Sequence, residues 1–274
     1  MRLASPAGLA EAGDDTPNQC SETQAMEKVM IVTGGSRGIG AATALMAAKY
    51  GFAVAVNYRS NHEAADAVVA AIEKDGGRAI AVAADMAVED DVVALFKTVD
   101  EKLGRVTCLV NNAGIVDDPC PVAEMGADRI SRMMAVNVVG PFIAAREAVG
   151  RMSTEHGGAG GNIINISSAA SHAGGGGGAG TYVDYGASKG AIDTFTEGLC
   201  REVAHQGIRV NAVRPGVVDT EIHASGGLPN KPKEAPAGIP LGRIGAPEDI
   251  AEAILYLAQA EFTTGAFIDV DGGV

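Results

Sequence analysis

A phenol and an ammonium stand four residues apart in the stretch Tyr185-Gly186-Ala187-Ser188-Lys189. On a helix, residues i and i+4 share a face and can reach one ligand. A tyrosine titrating near pH ~10 exchanges protons poorly at neutral pH, and acid–base catalysis favours a pKa close to the working pH. Lowering it by about three units takes roughly 4 kcal/mol of added phenolate stabilisation, which a neighbouring fixed cation can supply. The spacing alone is weak, because Tyr-x-x-x-Lys also arises on helices without such a role. Tyr182 lies nearby, but the residue four beyond it is Gly186, so it lacks the partner.

A second chemical signature sits near the start. The apolar run Val29–Val32 leads into Thr33-Gly34-Gly35-Ser36-Arg37-Gly38-Ile39-Gly40, and an Ala-rich helix continues to Tyr50. Strand, glycine loop and helix bring backbone N–H groups and a helix N-terminus against a phosphate. The next strand, Ala53–Asn57, ends in Tyr58-Arg59-Ser60. An acid at that strand end binds adenosine ribose hydroxyls in dinucleotide folds, whereas a cation accepts a 2′-phosphate. Arg59 stands there and Arg37 lies in the glycine loop, so the pattern favours NADP(H), with NAD(H) as the alternative. Two solvated arginines would be the plain structural explanation.

Composition narrows the classes. The chain has 274 residues, 47% of them hydrophobic but only 4% aromatic, with no Trp and 37 Gly. An Ala/Val/Ile core of this kind suits buried parallel strands and close helices. The formal net charge of −13 argues against nucleic acid or an anionic membrane as partner. Cys20, Cys108, Cys120 and Cys200 form no Cys-x-x-Cys, and the five histidines have no metal-binding spacing, which points to the cytoplasm and to no metal. No apolar run reaches transmembrane length, and no signal peptide opens the chain.

The elements that must position these groups follow in order. Residues 1–25 read as a disordered tail, and 26–274 as one domain. Ser60-x-x-Glu63 forms a capping box for a helix whose apolar period ends at Gly76-Gly77. Ala79–Ala83 is a strand closed by Asp85-Met86, Asp90–Leu103 a helix, and Val106–Val110 a strand running into Asn111-Asn112-Ala113-Gly114. Arg129–Met152 reads as one long helix carrying Asn137. Asn162–Ile166 is a strand ending in Ser167-Ser168, followed by the glycine-rich Ala173–Gly180 and a long helix Tyr182–Gln206. Ile208–Val213 precedes Pro215-Gly216, residues 219–246 read as a functional lid, Pro247 opens the last helix, and Ala266–Val270 is the closing strand. Alternation of this kind implies right-handed βαβ units and a parallel sheet.

Together these motifs resemble the short-chain dehydrogenase/reductase family, from about residue 27 to 274. They are Thr33-Gly34-x-x-x-Gly38-x-Gly40, Asn111-Asn112-Ala113-Gly114, Asn137, Ser168, Tyr185-x-x-x-Lys189 and Pro215-Gly216. The resemblance implies an α/β Rossmann fold: a doubly wound, seven-stranded parallel sheet in order 3-2-1-4-5-6-7, helices on both faces, and most often a homotetramer. It assigns acid–base work to Tyr185 and makes Lys189 the residue that lowers the Tyr185 pKa and holds the nicotinamide ribose. Ser168 would bind the oxygen of a small carbonyl or alcohol substrate, with Ser167 and Ser171 as competitors. Asn137 would hold the Lys189 ammonium and a water chain to solvent, the plain alternative being that it caps or satisfies a buried helix kink. Cofactor contacts would come from Gly34, Ser36, Arg37, Gly38, Ile39 and Gly40, from Arg59 and Ser60, and from Asp85 and Met86 at the adenine. Asn112 and Gly114 would border the cofactor, Pro215 and Gly216 would contact it, Val218 and Thr220 would stand beside the nicotinamide and its carboxamide, and Asn111 would brace the sheet.

Ser168 and Tyr185 lie 17 positions apart, a few more than the family pattern, and the excess coincides with Gly174–Gly178. That insertion leaves the substrate open between sugar, acyl, steroid and other carbonyls. Asn57-Tyr58-Arg59-Ser60 and Tyr182-Val183-Asp184-Tyr185 resemble glucose-dehydrogenase-like members more than 3-oxoacyl-carrier-protein reductases. A non-catalytic NADP(H)-binding regulator or scaffold is the competing function class; the intact Ser168, Tyr185 and Lys189 count against it.

Overall fold

A computed structural model describes residues 28–175, 182–222 and 238–274. The expected tail, most of the Gly174–Gly178 insertion and the middle of the 219–246 segment lie outside the described residues. Seven parallel strands form one sheet: β1 (Lys28–Val32), β2 (Phe52–Tyr58), β3 (Ala79–Ala83), β4 (Cys108–Asn111), β5 (Gly161–Ile166), β6 (Ile208–Pro215) and β7 (Phe267–Val270). Their order is β3-β2-β1-β4-β5-β6-β7, the one the family pattern implies. Because β1 pairs with both β2 and β4, the winding reverses there. Such a reversal opens a crevice beyond the C-terminal strand ends.

Alternation along the strands divides the core. Val29 and Ile31 of β1 pack with helices α3 (Glu89–Lys102), α5 (Gly140–Met152) and α6 (Val183–Val203), burying Leu95, Phe96, Ala144, Ala148 and Val203. Met30 and Val32 face the other way, toward α1 (Gly38–Lys49), α2 (His62–Lys74) and α7 (Pro247–Gln259), with Ala44, Ala47, Ile72, Ile250 and Ile254. The alanines let α1 approach the sheet and α7 closely, so the glycine loop at its start sits on a rigid base. No helix among the described residues is long and apolar enough to cross a membrane.

Two local expectations need correction. Ser60 does not cap α2; the neighbouring Asn61 does, its Oδ1 accepting from Ala64 N at 3.0 Å. Both residue types cap well, and sequence could not choose between adjacent candidates. The expected helix 129–152 is not uniform: α4 (Ala127–Met134) passes into a π turn (Ala135–Val139) before α5 begins. π turns of this kind gather at functional sites, and this one holds Asn137.

Candidate active site

The glycine loop is built to leave room. Gly34 and Gly38 take φ of +62° and +50°, which glycine adopts without cost. A Cβ on Gly40 would lie 2.3 Å from Gly34 O, and one on Gly38 would lie 3.1 Å from Thr220 Cγ2. No side chain caps the α1 N-terminus, leaving its first N–H groups to a ligand. Asn57 and Asn112 hold the loop's shape: Gly34 N donates to Asn57 Oδ1 at 3.1 Å, and Asn112 Nδ2 donates to Thr33 O at 2.8 Å. Thr33 Oγ1 accepts from Asn112 N and Ala113 N. Sequence reasoning quoted Thr33 and Asn57 within motifs but gave neither a role; a buried polar residue ending an apolar strand was the available signal.

Beyond the loop lies a cavity of about 920 Å³ along the C-terminal strand ends. It is lined by every site residue expected from sequence except Gly40 and Asn137. The glycine loop, exposed Arg59 and Ser60, and the Asp85-Met86 turn form one end. Gly114, Ser168, Tyr185, Lys189, Pro215, Gly216, Val218 and Thr220 form the other. Arg37 pairs with Glu221, whereas Arg59 has no ion-pair partner among the described residues. Asp117, Arg132 and Tyr182 also line the cavity; no motif flagged the first two.

At the far end, the Ser168 and Tyr185 hydroxyls stand close enough for Ser168 to act on the ionisation of the phenol. Ser168 Oγ also accepts from Ala170 N at 3.1 Å, which fixes its rotamer. The Lys189 ammonium lies 5.7 Å from the Tyr185 ring centroid and donates to Ile166 O at 2.7 Å. Asn137, buried in its π turn, donates to Ile115 O at 2.9 Å and to Ser188 Oγ at 3.1 Å, and its Oδ1 accepts from Ile115 N. No direct hydrogen bond joins it to Lys189, yet Asn137 Oδ1 and Lys189 Nζ flank one point over Gly114, 3.5 and 3.6 Å from where its Cβ would be. Asn111 braces the sheet as expected, Nδ2 donating to Asn165 Oδ1 at 2.9 Å.

The electrostatics differ from expectation in one respect. Burial pushes the Tyr185 phenol above its ordinary value, and the Ser168 hydrogen bond opposes that rise; Lys189 is not among the groups that move it. The ammonium itself is turned to a backbone carbonyl, Ile166 O. Burial in turn pulls Lys189 down to about 8, with Asp193 working against the fall.

A reversing parallel sheet, a glycine loop before an uncapped helix N-terminus and neighbouring Ser168 and Tyr185 hydroxyls thus meet along one crevice. Residues 28–228 match the family described as short chain dehydrogenase. The chain is 50% identical over 247 residues to the Escherichia coli K12 protein named uncharacterized oxidoreductase YgfF, covering 89% of this chain and 99% of the other. It is 40% identical to a Synechocystis 3-oxoacyl-[acyl-carrier-protein] reductase, covering 90% and 96%. Among solved structures, a blue fluorescent protein from a metagenomic library, in complex with NADPH, superposes with a TM-score of 0.80 at 37% identity, covering 90% of this chain and 97% of that one. The chain belongs to the short-chain dehydrogenase/reductase family and is a nicotinamide-dependent oxidoreductase acting on CH–OH groups of small molecules.

Proposed function

We propose that the protein interconverts a ketone or aldehyde and the corresponding alcohol with NADP(H), using Ser168, Tyr185, Lys189 and Asn137. The observation that carries this reading is that Ser168, Tyr185 and Lys189 line one wall of a cleft whose other end is a glycine loop. The glycine loop and the α1 N-terminus would hold the pyrophosphate, Arg59 the 2′-phosphate, Asp85 and Met86 the adenine, and Lys189 the nicotinamide ribose. The bound nicotinamide supplies or accepts the hydride.

The chain's own residues do the rest. As negative charge develops on a carbonyl oxygen, two fixed hydroxyl donors stabilise it where it forms. Ser168 holds the oxygen, and Tyr185 gives up its proton to it. Burial keeps that phenol protonated at neutral pH, the state reduction needs. The phenolate left behind lies near Lys189, whose Nζ is 5.7 Å from the ring centroid, and Asn137 braces the turn between them through Ser188. In the oxidative direction the same proton returns to Tyr185.

The arginine left without an ion-pair partner at the β2 end and the NADPH bound by a 37%-identical structure support NADP(H) over NAD(H). Half-exposed Val139 and Phe142 on the π turn and α5 support a homotetramer. The buried free thiols Cys108 and Cys200 support a cytoplasmic setting.

The test is ketone reduction by the purified protein with NADPH across a substrate panel. Tyr185→Phe is expected to lower kcat by about 10²- to 10⁴-fold while NADPH still binds. A Phe variant reducing ketones at the parent rate overturns the assignment.

A further inference from the structure

The first turn of α6 carries a group that the proposed chemistry leaves unused. Asp184 directly precedes Tyr185, its side chain is only 3% exposed, and it forms a two-pronged pair with Arg129 of α4. Arg129 Nε donates to Oδ2 at 2.7 Å and Nη2 to Oδ1 at 3.3 Å. The same Oδ1 accepts from the Tyr185 backbone N–H at 2.9 Å. The remaining arm, Nη1, donates to Asp118 O at 2.7 Å, beside Asp117 on the cleft wall.

Tyr185 is gripped from the opposite side as well. Asn137 donates to Ser188 Oγ at 3.1 Å, and Ser188 Oγ donates to Tyr185 O at 2.7 Å. Both flanks of the tyrosine's peptide are therefore tied to the α4–π–α5 element, once through Arg129 and once through Asn137. A buried ion pair is a poor stability device, since desolvation offsets most of the attraction and apolar replacements are often neutral. What it supplies is direction: a planar guanidinium fixes a carboxylate's orientation. Displacing a reacting group by about 1 Å can cost roughly 10²-fold in rate.

We propose that the Arg129–Asp184 pair is a positioning device that sets the Tyr185 hydroxyl against Ser168 and the substrate oxygen. The inference rests on the reading of Tyr185 as proton donor. Arg129→Met is expected to lower kcat for ketone reduction by about 30- to 100-fold, with the NADPH Kd within threefold of the parent. Because that variant strands a buried carboxylate, the double variant Arg129→Met/Asp184→Asn is the deciding one. It removes the charge on both sides, and it is expected to fold, melt near the parent temperature and show the same low kcat. Arg129→Lys keeps the charge but not the fork, and it is expected to restore the melting temperature without restoring kcat. Amide exchange in the ligand-free protein should speed up at Tyr185 in the double variant. A folded double variant, or Arg129→Lys, with kcat within threefold of the parent would overturn the proposal. If Tyr185→Phe is dead in the same assay, that outcome leaves the reading of Tyr185 standing; if Tyr185→Phe is active, the reading itself fails.

Discussion

At the scale of single residues, the two arginines at the glycine-loop end of the cleft are not equivalent. Arg37 is already paired with Glu221, while Arg59 has no ion-pair partner among the described residues. Arg59→Ala should therefore shrink the ratio of kcat/KM with NADPH to that with NADH by about 10- to 100-fold, the loss of one charge-assisted contact, and Arg37→Ala by less. Lys189 makes a separate prediction. Its folded pKa of about 8 lies below its ordinary 10.5, so the unfolded chain binds more protons between those values. The cost of burying the ammonium is full below pH 8 and is relieved as pH rises toward 10.5, on the order of 3 kcal/mol in all. Above pH 9 the Cys108 thiol, pushed up to about 12 by burial, works in the opposite direction. Unfolding of the ligand-free protein at pH 8 and 9 should thus show stability rising with pH, and Lys189→Met should lose that rise.

At the scale of elements, the glycine loop and the π turn show how far sequence could reach. The loop was legible because only glycine satisfies its demands. A Cβ at Gly40 would meet a carbonyl at 2.3 Å, whereas Gly51, at φ +82°, has nothing within 4 Å. Gly40→Ala should cost about 2 kcal/mol or more, lower the melting temperature by roughly 4–8 °C and weaken NADPH binding at least tenfold. Gly51→Ala should cost about 1 kcal/mol of backbone strain and leave binding intact. Calorimetry and cofactor titration compare the two. The π turn was not legible, because one extra residue in a turn barely disturbs an apolar period. Nor was Arg129–Asp184, whose partners stand 55 positions apart and obey no local spacing rule. Strand order came through because family motifs mark it, and the same motifs picked out Tyr185, Lys189 and Ser168, which line one cleft; the direction of the Tyr185 shift did not come through, because it depends on how deeply folding buries the phenol.

At the scale of the whole molecule, the cleft is assembled from both halves of the sheet, β1–β3 on one side and β4–β6 on the other. A ligand spanning it staples the halves together. NADPH at a hundredfold excess over its Kd should add about 2.7 kcal/mol, raising the melting temperature by roughly 5–10 °C; no shift in scanning calorimetry would count against dinucleotide binding across this cleft. The same division matters while the chain is being made. Thr33 and Gly34 leave the ribosome well before Asn112, which stands 79 positions after Thr33. At ordinary synthesis speeds that is a delay of roughly 4–16 s. Until then the nascent loop is shaped from β2 by Asn57, 23 positions after Gly34. Chains arrested before β4 should therefore emerge with the glycine loop held from the β2 side alone and unable to capture a dinucleotide.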